Sequence, residues 1–384
     1  MKLPRIPKRD GIFAAALALV CAGLWMIPVP AGLASSAAAS ASARVVSVDD
    51  SGLQTHGLVR FGSQRLEVEI LSGEFAGKRF PAANELRGQL ELDKHYAPGD
   101  RITVAVSDGV TPGESVLTAR DFDRSFWTWA LFGGFAILLV VFGGWTGAKA
   151  LFSFVFSCLV LFKAVIPLAL NGWPASRIIF SSVVLLTAVI IFLVAGVTRK
   201  GLAAFSGAIA GVFAGLVMAH VFGAVMRING ATMPYVQTLL YSGCGELDIA
   251  DVFIGAVVLA SSGAVMDLAM DIASAMEELA RHNPGLGVRA LTLSGFRIGR
   301  SVVGTMTTTL LLAYSGGYLS LLMMFTAQGT AFADILNNPL VAAETVKTLI
   351  GSFSLVLVAP LTAVISGWIF GKRGNAAEGE GKTF

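Results

Sequence analysis

The chain has 384 residues, of which 55% are hydrophobic and only 14% charged, with a formal net charge of +3 and a mean hydropathy of +0.73. A soluble domain carries roughly 25% charged residues, so the composition excludes a wholly soluble protein and implies an integral membrane one. A balance this close to neutral gives no reason to expect a nucleic-acid partner, and Cys21, Cys158 and Cys244 have neither zinc-ligand nor disulfide-framework spacing.

Apolar runs of about 18 residues or more are long enough to cross a bilayer as helices, and about eight transmembrane helices are read along the chain. The first, near Gly11–Val29, follows Lys2, Arg5, Lys8 and Arg9 and precedes the small-residue run ASSAAASASA, Ala34 to Ala43. Those features also describe a cleaved signal peptide; an uncleaved signal-anchor and linker over residues 1–42 is the reading adopted.

Residues 43–123 change to a soluble-like composition. RLEVEI (Arg65–Ile70) and RITVAV (Arg101–Val106) alternate with period two, and SGEFAG, APGD and SDGVTPG supply turns between them. The expectation is a small all-β domain, an OB-like barrel or a sandwich, lying outside the cytoplasm between helices 1 and 2. It has no aromatic stacking pair or basic stripe to mark a ligand, so a packing or assembly role is the simpler one.

Residues 124–371 are read as a seven-helix membrane domain, with spans near Trp127–Trp145, Leu151–Leu170 (ending at NGWP), Ile178–Val197 and Leu202–Met226. A further span starts near Ile249, another covers Ser301–Thr326 and the last covers Thr348–Phe370, before a polar cytoplasmic tail over residues 372–384. Cytoplasmic loops carry an excess of Lys and Arg. With both termini inside, that side receives Lys149, Arg199, Lys200, Arg281, Arg289, Arg297, Arg300, Lys372 and Arg373, and the other keeps little more than Arg177, Arg227 and Lys347.

One span is anomalous. In SGAVMDLAMDIASAMEEL, Asp267, Asp271, Ser274 and Glu278 fall at i, i+4, i+7 and i+11, one narrow helical face. Gly263 lies near that face one turn earlier and Arg281 one turn later, while Glu277 points away. The other faces are apolar, so the polar one is expected to point into the protein and not into lipid. Asp267 lies about 27 Å along a helix entering at Ile249, deep enough to bear part of the roughly 2.5–3.5 kcal/mol that a central Asp costs on insertion.

Two readings follow. Intramembrane carboxylates mark an ion path or proton relay, and oxygen ligands suit protons or hard cations. Alternatively, Arg297 and Arg300, which open the next span from the same side, pair with Asp267, Asp271 and Glu278 and simply hold the fold. Small residues on both helices (Gly263, Ala264 and Ser274; Gly304, Thr305 and Thr308) would let them pack closely.

Weaker signals complete the survey. Glu246, Asp248 and Asp251 in GELDIAD read as solvated helix caps in preference to a cation funnel; Lys163 reads as a snorkelling cation or a buried partner, and His220 and Arg227 as interfacial. Asn337, Asn338 and Pro339 mark a turn in a segment apolar enough to be re-entrant. No HExxH, His/Cys cluster or Ser/His/Asp set is present, and EGEGKTF has Ala376 where a phosphate loop needs its first glycine. No enzymatic activity, cofactor or metal is therefore expected.

The run GAVMDLAMDIASAMEEL, the following HNPGL and LSGFRIGRSVVGTMTTTLLLAYSGG resemble the YibE/F-like family of bacterial membrane proteins, as do the exported β module and LIGSFSLVLVAPLTAVI. The resemblance implies a multi-pass protein of the bacterial cytoplasmic membrane and brings no established substrate. It makes Asp267 and Gly304 to Thr307 recurring positions, and Asp271 a departure, since Ser or Thr often stands there.

The expectation is a secondary transporter or permease. Asp267, then Asp271 with Ser274, binds a proton or cation, and Arg297 or Arg300 balances the charge. The alternative is a non-transporting scaffold or assembly factor whose exported domain binds a partner. The implied partners are the lipid bilayer, a small ion or solute, and a second copy or paralogous chain. Reporter fusions after Arg199 and after Gly230 should read inside and outside respectively; reversed signals would overturn the topology.

Overall fold

The computed structural model describes residues 20–23, 26, 39–90, 92–106 and 115–380, with 372–380 as backbone only. The chain divides into two compact units, 31–138 and 139–384 with the first thirty residues. The expected first span lies outside the described residues except for Val20–Gly23 and Met26, where Cys21 packs against the membrane-unit core.

The first unit has six strands: β1 (Ala39–Asp49), β2 (Leu53–His56), β3 (Val59–Ile70), β4 (Arg79–Arg87), β5 (Arg101–Val106) and β6 (Leu117–Phe122). Alternation along the strands sends Val45, Leu66, Val68, Ile70, Phe80, Ile102 and Val104 inward to one core. Strand β1 pairs with both β3 and β5, and β4 pairs in parallel with β6, so five strands close in the order β1-β3-β4-β6-β5 with β2 as a hairpin arm on β3. That order, with its single parallel pairing, is the connectivity of an OB barrel.

Two buried amide side chains in the barrel, Gln64 and Asn84, are matched, while the buried Tyr96 hydroxyl has no hydrogen-bond partner among the described residues. The fully buried Gln64 donates through Nε2 to Asp50 Oδ1 and to the Tyr96 carbonyl, both at 2.9 Å, and its Oε1 accepts from Asn84 Nδ2 and the Tyr96 N–H. Burial, aided by Asp121, pushes the Tyr96 phenol up to about 12. Asp93 accepts from the backbone N–H groups of Arg87, Gly88 and Gln89 at 2.9, 2.6 and 2.8 Å. Burial raises its pKa, but these donors outweigh that and hold the carboxyl below its ordinary value.

The helices are α1 (Ser125–Leu170), α2 (Ala175–Ala195), α3 (Arg199–Val225), α4 (Val236–Tyr241), α5 (Ile249–His282), α6 (Val288–Gly317), α7 (Leu319–Ala327), α8 (Phe332–Asn337) and α9 (Pro339–Glu380). Among the described residues, α1, α2, α3, α5 and α9 are each long and apolar enough to cross a membrane, and α6 with α7, bent by 63°, would make a sixth. The expected second and third spans fall within one 46-residue stretch, as two helices that meet at a kink. Their expected connection near Lys149 is helical, because WTGAKA holds no proline to break it, and Lys149 is buried. The interruption is at Gly144, whose φ of 55° and ψ of −130° suit only glycine. A π-turn at Leu161–Val165 carries Lys163, and α1 stops at Leu170 before the NGWP breaker.

Helix α5 is the hub, packed against α2, α3, α6 and α9, and α9 also packs on α3 and α6. Glycines set the closeness of α3 to α9. Gly207, Gly211 and Gly215 recur every four residues and face Thr362, Val358 and Ser354; a methyl on Gly211 would lie 2.7 Å from Val358 Cβ. Close backbone approach of this kind is what drives helix association in lipid.

Gly211→Leu should therefore destabilise the membrane unit by about 1–3 kcal/mol through overpacking, read as a lower unfolding midpoint in a mixed-micelle denaturant titration; an unchanged midpoint would refute this packing. Asp93, with its depressed folded value, contributes stability above the ordinary carboxylate pKa of about 3.9. That contribution is lost as pH falls through the folded value. In the full chain, hydrogen-exchange protection at Arg87–Gln89 should drop on acidification below about pH 4, and Asp93→Asn should lose it already at neutral pH.

Candidate functional site

The candidate site is built on α5, and its two ends are fixed differently. At its start Asp248 accepts from the N–H groups of Ala250 and Asp251, each at 3.0 Å, and so caps the helix. Asp251 Oδ2 accepts from the Ser176 N–H of α2 at 2.9 Å, so a first-turn carboxylate of one helix also satisfies the free start of another. The capping function read from GELDIAD is thus in place. The link to α2 was not legible, because Asp251 and Ser176 are 75 residues apart. These groups line a cleft of about 340 Å³ with Glu246, Arg177, His220 and Trp173.

Halfway along, the apolar side of α5 is sealed. Val265, Leu268, Ala269, Ile272, Ala273 and Met276 are fully buried, against elements that offer aliphatic and small side chains such as Val358, Ala359 and Ala363. The opposite side carries Gly263, Asp267, Asp271 and Glu278, all exposed, with Ser274 half-buried. The expected inward direction of the stripe is therefore reversed within this chain. The physical reason is the set of neighbours: the side chains packed against this stretch are aliphatic and small, so burying Asp267 or Asp271 among them would cost desolvation with nothing in return.

Helix α6 lies antiparallel beside α5, and its glycines give the register. Gly295 fits against Met276, and a methyl on Gly299 would come 3.6 Å from Ile272 Cδ1. Each pair of numbers sums to the same value, so Asp271 is level with Arg300, Asp267 with Gly304 and Gly263 with Thr308. Arg297, Arg300, Ser301, Gly304, Thr305 and Thr308 are all exposed on α6. Ser301, Thr305 and Thr308 donate to backbone carbonyls of their own helix, at 2.7, 3.0 and 3.1 Å. Their oxygen lone pairs remain open to a ligand.

The structure brings these groups onto one surface and does not join them as ion pairs. Among the described residues, no ion pair links Asp267 or Asp271 to any cation, or Arg297 or Arg300 to any carboxylate. Glu278 pairs instead with Arg281 and with His282, the latter at 3.2 Å on its own helix. Glu277, which the spacing sends away from the stripe, meets Lys200 of α3 at 3.8 Å. At the His282 end a shallow groove of about 540 Å³ runs between the helices, lined by Ala275, Glu278, Leu279, His282, Ser294 and Arg297 among others.

Chemically, Asp267 and Asp271 are one helical turn apart, about 5–6 Å between Cβ atoms. Two carboxylates at that spacing can share a proton or flank a hard cation, with Ser274 one further turn along. No group of three or more His, Cys, Asp or Glu placed to hold a metal ion occurs among the described residues.

The model of a protein family described as YibE/F-like protein matches residues 131–372, well over half of the chain, and takes in every residue of this face. No curated protein and no solved structure matches the chain.

Proposed function

The chain belongs to the YibE/F-like family, and on that footing we propose a secondary transporter or permease of the bacterial cytoplasmic membrane that binds a proton or hard cation at Asp267. In this reading eight spans cross the bilayer, both termini are cytoplasmic and the barrel lies outside. The observation that carries it is a pair of carboxylates in the middle of a helix long and apolar enough to span, on an open face and without an ion-paired cation among the described residues.

A carboxylate kept for structure alone would be paired, because an unpaired one in the bilayer costs roughly 2.5–3.5 kcal/mol. A carboxylate that loads and unloads a proton or cation needs the opposite: access and incomplete neutralisation. Asp271 adds a second oxygen donor one turn away, and Arg300, at its level on α6, balances charge without closing the site. No covalent chemistry and no cofactor enter the proposal. The scaffold reading draws on one observation, that the same face lies on the outside of the protomer, where a partner protein would sit.

The full chain reconstituted into liposomes loaded with a pH-sensitive dye should carry protons, or Na⁺, K⁺ or Mg²⁺, down an imposed gradient. Asp267→Asn should lower that flux at least about tenfold, the scale of removing one essential binding group, with unchanged folded protein, and Asp271→Asn should lower it less. If the wild-type chain moves none of these ions beyond protein-free vesicles, transport falls and the scaffold reading stands.

A further inference from the structure

We infer that the exposed face of α5 and α6 is the contact surface for a second copy of this chain, and that Arg297 and Arg300 of each copy neutralise the acidic stripe of the other. The inference goes beyond the transport reading and holds whether the face conducts an ion or only pairs.

The first argument is solvation. Asp267, Asp271, Arg297, Arg300, Ser301, Thr305 and Thr308 are exposed in the single chain, the first two on α5, which is long and apolar enough to span, and the rest on α6, which is so together with α7. Lipid cannot solvate such a surface, and charged groups inside a bilayer face protein or water. Something polar must cover it.

The second is complementarity. Acidic groups line α5 and basic and hydroxyl groups line α6, side by side on one surface. A two-fold axis between copies lays α5 of one against α6 of the other, so acid meets base twice with a single kind of patch. Copies inserted the same way round keep every residue at its own depth. The glycine register then puts Asp271 of one copy opposite Arg300 of the other, Ser274 opposite Arg297 and Asp267 opposite the Ser301–Gly304 turn. A surface carrying both halves of its own complement fits a second copy better than an unrelated chain.

The third is shape. Gly255, Gly295 and Gly299, on the buried sides of α5 and α6, are each filled by a neighbour, whereas Gly263 and Gly304, on the open side, have nothing within 4 Å of where a side chain would begin. Small residues at an open, level position on both helices leave room for another helix to approach closely.

The test uses the full chain in native membranes, with Cys21, Cys158 and Cys244 replaced by Ser. Two differently tagged copies, one carrying Gly263→Cys and the other Thr308→Cys, should form a disulfide-linked dimer on mild oxidation. Paired copies each bearing Leu185→Cys on α2 should not. In parallel, Asp271→Arg and Arg300→Asp should each, alone, turn the purified protein from dimer to monomer, and co-expression as separate chains should restore the dimer. Absence of the Gly263–Thr308 cross-link, or equal linking through Leu185, would overturn the inference. So would recovery only when both reversals sit on one chain, the mark of pairing within the protomer. The cross-link decides the matter even if a reversed-charge variant fails to reach the membrane, and it is read without any flux measurement.

Discussion

Everything in the membrane unit depends on how α5 is held. Four helices pack against it, and among the described residues no ion pair reaches the carboxylates on the side they leave open. Burying Leu268, Ile272 and Met276 completely fixes the rotation of the helix about its own axis, because side chains three and four apart move together. Once that rotation is set, Asp267 and Asp271 have only one direction to point. The functional face is thus a consequence of packing on the opposite face, and core residues remote from any ion determine what the carboxylates see.

The same logic extends outward from α5. Close contact of α3 and α9 through Gly207, Gly211 and Gly215 brings two of the gripping helices together, and Lys200 on α3 secures the His282 end of α5 through Glu277. Asp251 secures the other end on α2. Polar interactions therefore sit at the ends of the helix and dispersion contacts in between. That is the distribution expected where water is available only at the margins. The bend between α6 and α7 at Tyr318 ends the straight part of the helix flanking the carboxylates, beyond the level of Gly263.

Much of this was legible in the sequence, and the exceptions share a cause. Period-two alternation identified the β domain, and i, i+4, i+7, i+11 spacing put Asp267, Asp271, Ser274 and Glu278 on one face, because both are properties of a single segment. The direction of that face was not legible: spacing says which residues point together, and only the neighbouring helices say whether a partner awaits them. Hydropathy separated Trp127–Trp145 from Leu151–Leu170, yet WTGAKA between them holds no proline and stays helical, with the break displaced to Gly144. Closure of the barrel rests on the parallel contact of Ala82 with Leu117, a pairing no local pattern announces. Pairing of Arg297 and Arg300 with the stripe, reasonable from their position at the start of the next span, is not formed within the chain.

Helix α5 is one uninterrupted rod of 34 residues, about 51 Å long at 1.5 Å per residue. It bears the cleft at one end, the groove at the other and Asp267 close to its midpoint. A tilt of about 5° around that midpoint would shift each end by about 2 Å in opposite directions, while Asp267 itself hardly moves. The helix therefore has the proportions of a lever with its fulcrum at the carboxylate: widening one end narrows the other, and the group at the pivot keeps its place throughout.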